Sequence, residues 1–454
     1  MPSPRGRIVV AGYYPLEFWG GGEIVLVRVM NHLGARYDVE YLAPEGFGGP
    51  LRADAGSIMS GARFRYRRIP FARASALPGA LLRPVPPRWA LEGADLVMVP
   101  LDRPPSAALL RELEGLGVPA ILMLHGLTFE KFSAASPWNL AVSAYQAWAR
   151  LYMRSIAGAL RRGRLLFQVL NESQRSFLEG LGVERSRILL IPNTIDFSNY
   201  RVSRDDGTFR VVYMGRIDRL VKGAHLLARV ARGMARAAGL GAPVELLVMG
   251  SGPAEGSVAR LASGPGVRFL GQVNDQRAKS ELLSSGNLMI SLSNTEAFSV
   301  SLLEGLASGL PVLCTDTSGP RYIVGRNPAF GRVLGFSARE FMGAILEYYA
   351  RWRSDPGGYF AEKLERRRAA EEEFGRARME ELYESAVEMA LSLRFQPGGL
   401  HSTVTFASSR VPSQPIAIPL NSANCWVELT SNERVMGVQE LGLRELPATV
   451  EVAR

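Results

Sequence analysis

Residues 287–316 read NLMISLSNTEAFSVSLLEGLASGLPVLCTD, and this stretch decides the fold. NLMISLS (287–293) is a short apolar run, too short for a stable helix and bounded by turn residues. Ser299 stands where a helix N-cap belongs, and the helical spacing continues to Ala307. Gly309 then closes the helix and Pro311 bars its continuation. PVLCTD (311–316) is a second apolar run. Strand, helix and strand within thirty residues make a crossover unit, which joins parallel strands. Two carboxylates lie inside it, Glu296 on the loop and Glu304 in the helix, with seven residues between them. Alone they read either as surface glutamates or as acceptors for the vicinal hydroxyls of a sugar.

The same alternation runs back from it toward the N-terminus. Upstream are the apolar runs 7–12, 38–43, 95–100, 119–125, 165–170 and 187–192. Helical patterns separate them at 22–34, around 106–116 and from Glu172. Nearer the opening stretch are 209–215, a helix from Lys222 to Ala238, 243–250 and 267–271. Two consecutive sets of strands and crossover helices, joined near 193–206, predict two Rossmann-like domains whose parallel sheets face each other across a cleft. Residues 356–385 mix both charge signs densely and predict a long exposed helix. Beyond Gln396 the helical period is lost, leaving either a small β element or a poorly ordered tail.

At 454 residues the chain exceeds one compact core, and 47% hydrophobic with 21% charged residues is the balance of a folded protein. No apolar run reaches the roughly 18–20 residues that span a bilayer. The basic N-terminus passes straight into a strand, so no signal peptide is expected. Cys314 and Cys425 have no ligand spacing; Cys314 reads as a core residue, and the expected compartment is the reducing cytoplasm. The formal charge of +10 is concentrated. Arginines 63, 65, 67, 68, 73, 83 and 88 occupy 63–88 without an acid, and arginines 150, 154, 161, 162 and 164 do so in 133–171. Such patches attract anionic lipid headgroups or other polyanions, or are simply solvated faces. Nucleic acid is not an expected partner, because no recognition module accompanies the charge.

Metal hydrolysis finds little support, since His32, His125, His225 and His401 show no ligand spacing and there is no nucleophile elbow or Walker lysine. Glycine-rich turns after strands are numerous instead. Gly20, Gly21 and Gly22 open a helix whose amides and dipole suit an anion. GRIDRLVKG (215–223) brings Arg216 and Lys222 to a strand end, a pair that suits a diphosphate. MGSGP (249–253), with Gly250, is a third such turn.

In order and spacing, these segments resemble the retaining GT-B glycosyltransferases, family 4 (group 1) in particular. The resemblance covers about residues 7–390. It is carried by the turn ending Gly21-Gly22-Glu23, LHG at 124–126, IPNTID at 191–196, Arg216 with Lys222, MGSGP, RFLGQV at 268–273, and the two glutamates. It implies an acceptor-binding domain over 1–196, a nucleotide-sugar-binding domain over 197–355, a C-terminal helical segment (356–395) packing back toward the first domain, and an appendage over 396–454. By the same resemblance Glu304 holds the ribose of a UDP- or GDP-linked sugar. Arg216 and Lys222 hold the diphosphate, assisted by amides around Gly21 and Gly22, and Gly250 also belongs to the donor-binding set. Glu296 and the amides of Phe298, Ser299 and Val300 grip the donor sugar, which His125 approaches from the other domain. Asn193 positions the hinge.

The implied activity is metal-independent, cofactor-free transfer of a hexose, with retention, to a saccharide or lipid-linked acceptor. The alternatives are a phosphorylase on the same architecture and a weakly catalytic homologue that binds nucleotide sugar in partnership with another chain. One departure stands out: EAFS occupies 296–299 where the family has EGFG. Aromatic residues among the arginines of 63–88, and Tyr145, Trp148 and Tyr152 in 145–166, point to attachment at the inner membrane face.

Overall fold

The computed structural model describes residues 6–393 apart from 19, 47–50, 52, 73–81, 83, 130–136, 163, 205 and 262–263, together with strands 426–431 and 434–440. Seven strands build the first sheet: β1 (Arg7–Ala11), β2 (Asp38–Pro44), β3 (Arg65–Ile69), β4 (Leu96–Pro100), β5 (Ala120–Met123), β6 (Leu165–Val169) and β7 (Ile188–Leu190). Their order is β3-β2-β1-β4-β5-β6-β7, every pair parallel. Six more build the second: β8 (Phe209–Met214), β9 (Val244–Met249), β10 (Val267–Gly271), β11 (Leu288–Ser291), β12 (Val312–Thr315) and β13 (Gly331–Leu334). They too are all parallel, in the order β10-β9-β8-β11-β12-β13.

Both sheets are buried on both faces, which is why their central strands are continuous apolar runs rather than alternating ones. In β1, Val9 and Ala11 join one core with Leu42, Val97 and Val99. Ile8 and Val10 join the opposite one with Tyr41, Leu96 and Met98. In β8, Phe209, Val211 and Tyr213 face one way and Val212 the other. Cys314 is fully buried among the residues around Val212, as a core residue should be.

Several boundaries differ from the sequence reading. The crossover helix after β8 begins at Ala224 rather than Lys222, because Gly223 sits at φ +64° as its N-cap. A Cβ there would collide with the Leu292 carbonyl, so that turn requires glycine. The long charged helix is two helices, Pro356–Phe374 and Arg376–Ser392, separated by Gly375 in extended backbone. The second of these buries Met379, Tyr383, Ala386, Val387 and Ala390 against the first sheet. The aromatic and basic stretch 145–166 falls on a helix at Pro137–Ser155, a short helix at Ala157–Arg161, and the start of β6. Strands β3 and β13 escaped detection: β3 is an arginine-rich edge strand, and β13 begins at a glycine and has no fully buried residue. Within the appendage, Trp426–Ser431 and Arg434–Glu440 pair as an antiparallel hairpin. Cys425, His401, Arg73 and Arg83 lie outside the described residues.

Strand order also locates a site. Each sheet reverses direction once, between β1 and β4 in the first and between β8 and β11 in the second. At such a switch point the two flanking connections leave in opposite directions, opening a crevice at the carboxyl ends of the strands.

Candidate functional site

The second crevice receives the turn after β8, with Arg216 and Lys222, and the loop after β11, with Glu296. Asn294 joins the two: its Nδ2 donates to the Arg219 and Leu220 carbonyls at 2.9 and 3.0 Å, and its backbone N–H to Val221 O at 2.8 Å. Asp218, nearly buried, organises the cationic turn. Its Oδ1 accepts from the amides of Val221 (2.6 Å) and Lys222 (3.3 Å), while Oδ2 accepts from Arg216 Nε at 2.8 Å. Sequence reasoning passed over Asp218, although a carboxylate between two cations in GRIDRLVKG was the available signal.

Lys222 Nζ donates to Glu296 Oε2, which Ser293 Oγ also reaches at 3.1 Å. Ser293 is set by its carbonyl, which accepts from Thr315 Oγ1 at 2.6 Å. The Arg216 guanidinium remains half exposed. Glu304, inside the helix Val300–Ala307, accepts at Oε1 from Tyr200 Oη and from Lys279 Nζ, each at 2.5 Å. The two glutamates therefore share neither a proton nor a partner. Gly250 follows β9 at φ +144°, and a Cβ on it would collide with the Gly215 carbonyl; glycine lets the ends of β8 and β9 close up.

Ser299 is the N-cap of the Glu304 helix, yet its hydroxyl makes no capping bond and instead meets Ser301 Oγ at 3.1 Å. Its φ of −105° is ordinary for any residue, so the family glycine is not required by backbone conformation here. Phe298 turns its ring into the core against Tyr322 and Phe374, with centroids 6.3 and 6.2 Å away, so only its backbone can meet a ligand.

The first domain contributes from the opposite side. Gly21 opens the helix Gly21–Leu33, and a Cβ on it would stand 3.7 Å from Val300 Cγ2. The glycine turn thus lies directly against the loop that follows Glu296. The Gly20 amide donates to Glu23 Oε2 at 3.1 Å, which caps the start of the helix from its third residue, and burial raises the Glu23 carboxyl above its usual range. Further polar bonds cross between the halves. Thr128 Oγ1 meets Thr295 Oγ1 at 2.7 Å, Gln146 Nε2 donates to both hydroxyls, and Asn171 Nδ2 donates to Ala297 O at 2.8 Å.

His125 ends the strand run after β5 and pairs through Nε2 with Gln168 Oε1 at 3.0 Å, while Gln168 Nε2 donates to Ile191 O. Burial pushes His125 down to about 4, against the opposing bond from Gln168, so the ring is neutral near pH 7. Gly126 admits Asp102 beside it. Asp102 Oδ2 accepts from Tyr14 Oη at 3.0 Å, and the Arg103 guanidinium lies 4.7 Å over the Tyr13 ring. This cluster at the first crevice was not singled out in sequence, because its members lie on two connections about ninety residues apart. Asn193 is buried, and its Oδ1 has no partner among the described residues. No three metal-ligating side chains gather among the described residues.

Residues 19–199 match the family Glycosyltransferase Family 4, and residues 208–351 match Glycosyl transferases group 1. A phosphatidyl-myo-inositol mannosyltransferase of Mycolicibacterium smegmatis is 27% identical over 267 residues, which are 57% of this chain and 63% of that protein. A GDP-mannose-dependent alpha-(1-6)-phosphatidylinositol dimannoside mannosyltransferase of Mycobacterium tuberculosis is 31% identical over 84 residues, 18% and 22% of the two chains. The matched part thus spans less than two thirds of these relatives' length. Among solved structures, HepE of Anabaena in complex with UDP superposes with a TM-score of 0.61 at 15% identity, covering 85% of this chain and 100% of that one. Sucrose-phosphate synthase of Thermosynechococcus elongatus gives 0.61 at 18%, covering 85% and 99%. Both share the two-domain GT-B fold seen here.

Proposed function

Since the chain belongs to the group 1 glycosyltransferases, we propose that it transfers a hexose from a UDP- or GDP-linked sugar to a lipid-linked acceptor, with retention of configuration and without a metal ion. One observation carries the reading of the donor site: at the second switch point Lys222 pairs with Glu296, Asp218 ties Arg216 to the same turn, and Gly21 lies against Val300 at the end of the Glu296 loop. Two cations at the mouth of a crevice neutralise a diphosphate, and helix amides opposite complete its shell. In the resting structure Glu296 holds Lys222. The arriving diphosphate takes over the ammonium and leaves Glu296 to accept from sugar hydroxyls.

During transfer, the bond between the anomeric carbon and the diphosphate oxygen breaks while the acceptor oxygen bonds to the same face. The acceptor proton passes to the departing phosphate oxygen. Negative charge grows on the diphosphate as that bond lengthens, so Arg216 and Lys222 act most strongly in the transition state. Neutral His125 serves as a hydrogen-bonding wall beside the sugar rather than as a proton donor.

The lipid-linked acceptor is supported by the two relatives named for phosphatidylinositol substrates and by the helix Pro137–Ser155. That helix exposes Leu140 and Leu151 on one face, with Arg154 beside them, an apolar stripe with a cationic flank suited to an anionic bilayer. The chain's attachment to the inner membrane face would be peripheral; no described helix is long and apolar enough to cross a membrane.

A calorimetric panel of nucleotide sugars, followed by product analysis with the preferred donor in chelator, tests the whole reading. Binding of one UDP- or GDP-sugar and a product of unchanged anomeric configuration are expected. Failure of every nucleotide and nucleotide sugar to bind would refute it.

A further inference from the structure

Glu304 is a carboxylate in an apolar helix, with Leu302, Leu303, Leu306 and Ala307 buried around it. Its side chain is only 12% exposed. A carboxylate so placed needs a cation and hydrogen-bond donors to offset the water it loses. Both come from elsewhere in the chain, and both go to the same atom. Lys279 Nζ, from the helix Gln276–Ser284, and Tyr200 Oη, from the connection between the two sheets, each donate to Oε1 at 2.5 Å. The Lys279 ammonium also lies 5.8 Å over the Tyr200 ring. Oε1 is saturated, and Oε2 has no partner among the described residues.

The two donors are themselves fixed. Asp275 caps the helix of Lys279 by accepting from the Ala278 amide at 2.6 Å. Arg367, from the helix Pro356–Phe374, donates to the carbonyls of Phe197 and Tyr200, each at 2.8 Å, and to that of Ala307 at the end of the Glu304 helix. One guanidinium therefore ties the interdomain connection to the helix that carries the carboxylate.

Resting on the nucleotide-sugar reading above, we propose that Lys279 and Tyr200 are positioning residues that make Glu304 selective for a ribonucleotide. By occupying Oε1 they leave Oε2 as the single acceptor presented to the vicinal ribose hydroxyls, in one orientation. Without them the carboxylate rotates, its two oxygens become equivalent, and solvent or another donor takes the place of the 2′-hydroxyl. Neither residue touches the diphosphate in this arrangement, so their effect falls on the sugar of the nucleotide. A carboxylate preset this way also spends less orientational freedom when the ribose arrives, which favours affinity as well as selectivity.

The test compares UDP with 2′-deoxy-UDP, and GDP with 2′-deoxy-GDP, by titration calorimetry on the full chain. The wild type should favour the better ribonucleotide over its deoxy form by about tenfold, the worth of one charge-assisted hydrogen bond. Lys279→Met should reduce this preference to below about threefold, mainly by weakening the ribonucleotide. Lys279→Arg should restore it, and Tyr200→Phe should lower it to an intermediate value. Tyr200→Phe removes one hydroxyl and decides the matter should the Met variant fail to fold. Equal weakening of both nucleotides, or an unchanged ratio in Lys279→Met and Tyr200→Phe, would overturn the proposal. A wild type that binds nucleotide with no ribose preference would overturn it while sparing the donor reading. A wild type that binds none of the four would end both.

Discussion

Lys222→Met separates the catalytic from the structural role of the cation at the donor crevice. In the resting structure Lys222 is the cation for Glu296, whose side chain is 13% exposed against 24% for Lys222 itself. Removing it leaves a mostly sheltered carboxylate with Ser293 Oγ as its remaining donor. A fully buried carboxylate stripped of its partner costs about 3–5 kcal/mol. Residual solvent at this pair brings the figure to about 1–2 kcal/mol, at the level of an unsatisfied hydrogen-bonding group. For domains of this size that lowers Tm by about 2–8 °C. The catalytic loss should be larger. A preorganised group facing charge that develops in the transition state contributes about 2.7–4 kcal/mol, or about 10²–10³ in kcat.

Combining Lys222→Met with Glu296→Gln distinguishes the two. Glutamine relieves the stranded charge, so most of the lost Tm should return in the double variant, measured by thermal unfolding. Transfer rate, measured with saturating donor, should not return, because the diphosphate still lacks its cation. A Lys222→Met enzyme slowed less than about tenfold would refute the reasoning, since the step would then owe Lys222 under about 1.4 kcal/mol. So would a double variant faster than Lys222→Met.

The remaining expectations are briefer. Glu304→Ala should weaken nucleotide binding by about tenfold or more, whereas Glu296→Ala should chiefly reduce turnover; calorimetry and initial rates tell them apart. His125 has a folded-state pKa of about 4, below its unfolded value near 6.5, so the unfolded chain takes up the proton first as pH falls. Stability from this group is therefore complete above about pH 6.5 and lost progressively toward pH 4. Denaturant unfolding of His125→Gln should show a shallower decline over that window than wild type, and kcat/KM should carry no inflection near 6.5 from this ring. Lys363, 2% exposed, donates to the carbonyls of Ser203, Ser284 and Gly286. Lys363→Met should destabilise the protein by about 2–3 kcal/mol in urea unfolding, through the carbonyls it strands. Leu151→Glu, on the exposed stripe, should reduce co-sedimentation with vesicles containing anionic lipid while leaving nucleotide affinity unchanged. Wild-type binding that ignores anionic lipid would contradict the membrane reading.

The sequence was sufficient for the architecture and for much of the candidate site, for local reasons. Strands buried on both faces must be continuously apolar, and glycines at strand ends mark where backbones or anions approach closely; both features survive in a linear reading. Hence β1, β4, β8, β11 and β12 were legible, as were Arg216, Lys222 and Glu296 at their ends. Strand β3 was not, since the edge of a sheet asks little of its residues beyond extended backbone. Sequence spacing also distinguished a loop carboxylate from a helical one at Glu296 and Glu304, because capping and helix closure are encoded within a few residues.

What only the tertiary structure decided is which side chains share an atom. Tyr200, Lys279 and Glu304 lie at 104 and 25 residues' separation, yet two of them meet on one oxygen of the third. Tyr14 finds Asp102 across 88 residues, and Thr128 finds Thr295 across 167. No period or spacing records such pairings, because they follow from the order in which parallel strands assemble and from where each sheet reverses. The sequence by itself determined two βα halves and their glycine turns. The reversal points, and with them the partners of each charge, arise only when the strands are laid side by side.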